Sequence, residues 1–252
     1  MARLVLLTLL LLLWQPIICE AGIELLLHGD GTDGSTTITD ESGKAVTPVA
    51  NAQLDTAQKV FGTASLLCDG TGDLFSLTDN AGWNFGSGEF TIDFRVRFSA
   101  GQNFGVVPIF LGQATAAGNQ RSWVFFTDGS NLIFRYSADG TNITDISRAW
   151  TPSTATWYHL AAVRTGNDLK LFVDGTQVGT SADLTGVTFF DANSTLLLCM
   201  YNNDLGGNYL NGWLDEVRIS KGTAEWTTNF TPPSEAYTIN AATALMFDAG
   251  EY

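Results

Sequence analysis

The chain has 252 residues, enough for one large all-β domain or two small ones, and 45% of them are hydrophobic, enough to fill a sizeable core. Its formal net charge of -14, from 12 Lys+Arg against 26 Asp+Glu, excludes nucleic acid and acidic membranes as partners held by bulk attraction. Such a surface suits neutral sugars, divalent cations or basic partners, and it also serves plain solubility.

Residues 1–21 read as a targeting segment. Arg3 supplies a positive n-region, residues 4–14 an apolar h-region broken by Gln15-Pro16, and Cys19-Glu20-Ala21 a small-x-small cleavage site. The apolar run is shorter than the roughly 20 residues a bilayer span needs. Cleavage after Ala21 and export are expected, with no membrane span afterwards. Bulky Ile18 argues against lipid attachment at Cys19. In an oxidising compartment Cys68 and Cys199 either bridge or remain separate buried thiols, and the sequence leaves both open.

In chain order, Glu24-Leu25-Leu26-Leu27-His28 is a short opening strand before the turn-rich residues 29–43. Residues 44–60 are weakly patterned and read as surface loop. Strands follow at 64–68 and 74–77, separated by Asp69-Gly70-Thr71-Gly72-Asp73. The next strand alternates throughout, with Phe90, Ile92, Phe94, Val96 and Phe98 inward and Thr91, Asp93, Arg95 and Arg97 toward solvent. Residues 106–111, 122–127 and 132–136 add three more, the last two joined by Asp128-Gly129-Ser130-Asn131.

Residues 157–164 are apolar on both alternating faces, which predicts an inner strand covered on two sides. Residues 169–173 pair back, and Asp174-Gly175 is the dipeptide that a type I′ turn favours before Gln177-Val178 returns. Residues 195–200 and 212–220 are strands on either side of the polar stretch 201–211. Trp226 and Phe230 are expected to fold over one end of the core, and Trp83, Trp157 and Trp213 to pack inside it. Ala244-Leu245-Met246-Phe247-Asp248 echoes Leu25 to Asp30, either as an edge strand or as the start of a further copy. Many short strands without a helix predict an all-β, two-sheet antiparallel sandwich. Residues 22–237 form its single domain, and 238–252 a tail or edge strand.

Four phrases in order carry a family resemblance. They are Phe61-Gly62-Thr63-Ala64-Ser65-Leu66 leading into Asp69 to Asp73, and Trp83-Asn84-Phe85-Gly86 through Phe94. Trp157 to Arg164 with Val173-Asp174-Gly175, and Gly212-Trp213-Leu214-Asp215-Glu216-Val217-Arg218-Ile219-Ser220, complete the set. Together they resemble the laminin-G-like jelly-roll domains of the concanavalin A-like lectin and glucanase superfamily. The resemblance implies two curved antiparallel sheets with Greek-key connections. Its members bind sugars, bind proteins, cleave glycans or hold assemblies together, so activity has to be argued from a site.

Glucanases of this fold carry Glu-x-Asp-x-x-Glu on one strand, and no such string occurs. Glu89 and Asp93 are the nearest pair, at a spacing that matches neither that motif nor a division into acid and base. A non-catalytic chain is expected, with a degenerate glycan hydrolase as the lesser alternative. The resemblance also implies a structural calcium at Asp215, completed by Asp30 or Asp69. For ligand binding, Tyr201, Asn202, Asn203 and Asp204 with Asn208 and Tyr209 have the aromatic-plus-amide composition of a sugar site. Asn119-Gln120-Arg121 leading to Trp123 is a second candidate. The reading is therefore an exported recognition domain for glycans or glycoproteins. Its rival is an assembly module of a matrix, cell surface or viral particle that contacts copies of itself or other extracellular proteins.

Overall fold

A computed structural model describes residues 22–200 and 208–239. The strands are β1 (Gly22–Leu27), β2 (Thr47–Val49), β3 (Gln53–Asp55), β4 (Ser65–Asp69), β5 (Leu74–Leu77), β6 (Phe90–Phe98), β7 (Ile109–Thr115) and β8 (Gln120–Thr127). They continue as β9 (Asn131–Tyr136), β10 (Thr144–Ala149), β11 (Trp157–Thr165), β12 (Asp168–Val173), β13 (Thr176–Gln177), β14 (Ala182–Asp183), β15 (Leu196–Leu198) and β16 (Asn211–Lys221). Single 3₁₀ turns at Ala81–Trp83 and Ala117–Asn119 are the helical pieces among the described residues.

The strands make the two antiparallel sheets of a jelly-roll sandwich. The larger runs β13-β12-β11-β6-β16-β4-β3, with β1 also on β16 and β14 on β12. The smaller runs β10-β9-β8-β7-β15-β5-β2. The meander β11-β12-β13 forms as the sequence predicts, and its turn has positive φ at both Asp174 (48°) and Gly175 (74°). The strands the sequence does not reveal are short or polar edges: β2 and β3 within the expected loop, β10 and β14. Edge strands bury little, so their side chains carry no clear alternation.

The core lies between the sheets and is dense in aromatics. Phe94 sits 5.1 Å from Phe110 and 5.6 Å from Phe125, ring centre to ring centre. Trp83 is fully buried, and its carbonyl accepts the Trp123 indole N–H at 3.0 Å. Cys68 on β4 and Cys199 just past β15 form a disulfide that ties the large sheet to the small one.

Three expectations are corrected. Trp157 and Trp213 do not enter the core: they lie on the outer face of the large sheet and are half-buried. Thr91 and Asp93, expected in solvent, are fully buried. The reason is the third correction. Residues 222–239 do not cap one end of the core but run as a strap over the outer face of the large sheet. Trp226 and Phe230 stack at 3.9 Å and cover Ala161, Val163 and Phe172. This cover explains why β11 is apolar on both faces. The echo at 244–248 lies outside the described residues.

Candidate functional site

Two places outside the core concentrate chemistry. The first is the polar layer beneath the strap. The ladder of β16 is irregular between Asp215 and Arg218, where Glu216 takes a positive φ of 50°. This bulge brings Asp215, Glu216 and Arg218 to the outer half of the molecule. Asp93 Oδ1 accepts from Arg218 Nε at 2.9 Å. Its Oδ2 lies 3.1 Å from His159 Nε2 and accepts the Tyr237 hydroxyl. Burial opposes the charge of Asp93, but Arg218, His159 and Tyr237 outweigh it and hold the carboxyl below the usual range. Burial and the Asp93 charge push the Tyr237 phenol up. Glu216 accepts the Tyr237 backbone N–H at 2.9 Å and sits 2.7 Å from His28 Nδ1, which raises the His28 pKa. The cluster clamps the strap and is closed to solvent at Asp93 and His159.

The aspartates expected to hold calcium are engaged in protein hydrogen bonds, Asp215 and Asp30 both to the segment 60–63. Asp215 Oδ2 accepts the Val60 and Phe61 N–H groups at 2.6 and 3.2 Å, and its Oδ1 is buried without a partner. Burial raises its pKa to about 7, against the pull of those two amides and with the help of the Glu216 charge. Asp30 is exposed and accepts from Thr63, and Asp69 is exposed and accepts the Thr71 N–H at 2.7 Å. Among the described residues, no three His, Cys, Asp or Glu side chains gather as metal donors. The three aspartates therefore do not form one carboxylate cluster. Glu89 and Asp93 are likewise separate: Glu89 is exposed and accepts the Gly166 N–H at 3.0 Å, while Asp93 is sealed.

The second place is the outer face of the small sheet. The ladder aligns Asp145, Arg135, Val124, Gly112, Leu197, Ser76 and Thr47 in one row across all seven strands. Ile109, Ala114, Val124, Phe126 and Ile133 make an apolar floor apart from the main core. At one end Ala114, Arg121, Val124, Arg135, Tyr136 and Ile143 line a shallow surface hollow that encloses no room for a water molecule. Arg121 donates from Nη1 to the Thr141 carbonyl at 3.1 Å. Arg135 lies 5.1 Å above the Phe126 ring and forks onto Asp145 at 2.6 and 2.8 Å. Ile143 is 47% exposed, a large apolar side chain left at the rim.

Of the predicted ligand residues, Arg121 reaches this hollow. Asn119 is exposed, and Gln120 braces the neighbouring loop by accepting the Asn193 N–H at 2.7 Å. Trp123 is core. Tyr209 bridges to Met200, and Tyr201, Asn202, Asn203 and Asp204 lie outside the described residues. Sequence reasoning missed Arg135, Ile143 and Asp145. Arg135 lies on the strand expected at 132–136 but was not singled out, while Asp145 lies on β10, too polar to be recognised as a strand, with Ile143 just before it.

The comparisons agree with this architecture. No curated protein matches the chain. The binding domain of Paraclostridial Mosquitocidal Protein 1 is similar at 16% identity and TM-score 0.61, covering 90% of this chain and 52% of that one. The botulinum neurotoxin serotype G binding domain gives 10% identity and 0.60, covering 90% and 51%. The receptor binding domain of the botulinum neurotoxin C/D mosaic serotype gives 12% and 0.59, covering 90% and 51%. The chain thus spans about half the length of these solved domains, and at such identity the likeness is one of fold. A sequence profile described as the concanavalin A-like lectin/glucanases superfamily, of laminin G type, matches residues 69–227. With more than half of its length matched in sequence and the sandwich formed in full, the chain belongs to the laminin-G branch of the concanavalin A-like lectin/glucanases superfamily.

Proposed function

We propose that this chain is an exported, non-catalytic recognition domain for glycans or glycosylated surfaces, and that the hollow on the small sheet is its binding site. The observation that carries the reading is the meeting of Arg121, the Arg135–Asp145 pair and the exposed Ile143 over an apolar floor. Fixed donors beside an apolar surface are what a sugar ring needs from a shallow site. The similar solved domains are binding or receptor-binding domains by description, which supports a recognition role. The separation of Glu89 from the sealed Asp93 supports the absence of a catalytic carboxyl pair. Export rests on residues 1–21 and is tested by secretion of the processed chain.

Glycan-array binding of the wild-type chain and the Arg121→Ala variant tests the site. Wild-type binding lost in the variant is the expected result. Binding by neither, together with concentration-dependent assembly, would replace this reading with the assembly module. Because no three acidic or imidazole side chains gather among the described residues, chelation with EDTA is expected to leave the melting temperature unchanged; a clear drop would place calcium at Asp215.

A further inference from the structure

Trp157 and Trp213 sit on neighbours of the same strand. Leu160 and Leu214 face the core, so alternation turns Trp157 on β11 and Trp213 on β16 to the outer face of the large sheet. Trp157 pairs with Arg97, and Arg97 pairs with Trp213. Two strand spacings therefore separate the tryptophans by about 10 Å, the length of a disaccharide unit in an extended β-linked chain. Trp213 is held by its indole N–H, which donates to Asp55 Oδ2 at 2.7 Å. Arg97 donates from Nη1 to the Ala155 carbonyl, and its Nε is buried with no partner. Leu67 continues the row past Trp213 and is itself half-buried. The strap holds the next row instead, through Arg95 to the Pro233 carbonyl and through His159 to Trp226.

We propose that Trp157, Arg97 and Trp213 form a second glycan-binding surface, taking extended, uncharged pyranose polymers. Indoles offer broad apolar faces to the C–H faces of sugar rings, at little entropic cost because each has few rotors. Arg97 between them donates to ring hydroxyls, and the Asp55 carboxylate beside Trp213 accepts from them. A chain of formal charge -14 disfavours polyanions over its whole surface. The proposal extends the glycan-binding reading to a different face, so the two can fail separately.

The full chain is tested by pull-down on microcrystalline cellulose and on chitin, and by tryptophan fluorescence titrated with cellohexaose. Retention that is insensitive to added salt is expected. Trp157→Ala and Trp213→Ala should each weaken it by about tenfold, the worth of one aromatic stacking contact. Trp213→Phe keeps a ring without the indole N–H; it should bind at an intermediate level and serves if the alanine variants do not fold. The cellohexaose titration of wild type needs no variant at all. No retention of wild type on either polymer would overturn the proposal, as would binding confined to polyanions such as heparin. Unchanged binding in a folded Trp157→Ala/Trp213→Ala double variant would also overturn it. A dimer lost in Trp213→Ala, with no polymer bound, would assign the face to a second copy instead.

Discussion

Asp215 shows how burial turns an ordinary carboxylate into a pH-dependent liability. Its ionised form has lost water on every side, and two amide donors return only part of that stabilisation. With the folded pKa raised to about 7, the native state binds more protons than the unfolded state from about pH 4 to pH 7, so stability falls as pH rises through that window. His28, raised by Glu216, acts in the same direction: its contribution is full below the unfolded value and is lost as pH rises through the folded one. Asp93, held low, acts oppositely and protects the fold until acid protonates it. The melting temperature should therefore be higher near pH 5 than near pH 8. Asp215→Asn, which mimics the protonated acid, should recover about 1–3 kcal/mol at pH 8 and little at pH 5. Equal pH profiles for wild type and variant would show that Asp215 stays charged at little cost. The position was legible in sequence as an aspartate on the last long strand. Its sealed setting was not, because Val60 and Phe61 come from a segment more than 150 residues away.

Among elements, the strap decides most. Its residues make almost no ladder and are held by side chains: Thr91 accepts the Glu225 N–H at 3.0 Å, Lys170 donates to the Thr227 carbonyl at 2.5 Å, and Tyr237 closes on Asp93 and Glu216. The backbone of Gly175 bonds Phe230 at 2.9 Å. A Cβ there would lie 1.9 Å from the Phe230 carbonyl oxygen, so the turn residue is also a docking point. The family match stops at residue 227, ten residues before Tyr237. A chain ended at 227 keeps Trp226 but should leave Asp93 without the Tyr237 hydroxyl, His159 without Phe230 and Arg218 without the Tyr237 ring, at a cost of about 3–5 kcal/mol for a buried ionic cluster opened on one side. Urea unfolding of the shortened chain measures this, and an unchanged midpoint would reduce the strap to a passive tail. The doubly apolar β11 was a sequence signal that something covered it. Which segment did so was not, because the strap has no period of its own to read.

Across the whole molecule, the disulfide joins the two sheets over a separation of 131 residues. Closing so long a loop restricts the unfolded chain strongly, and replacing both cysteines by alanine should cost roughly 3–5 kcal/mol. Denaturant unfolding with and without reductant checks this; identical curves would mean that the bond adds nothing to equilibrium stability. The sandwich does not depend on that bond for its pattern. Phe90 to Phe98, the β11-β12-β13 meander and residues 212–220 were all readable because alternation and turn chemistry are local properties of the chain. By itself the sequence determined the all-β class, the family phrases and the long central strands. Only the tertiary structure decided that Cys68 meets Cys199, that Asp93 is sealed, and that Trp157 and Trp213 face outward beside Arg97. Those outcomes depend on which face of a strand another segment covers, and a period of two distinguishes the faces without saying which one meets water.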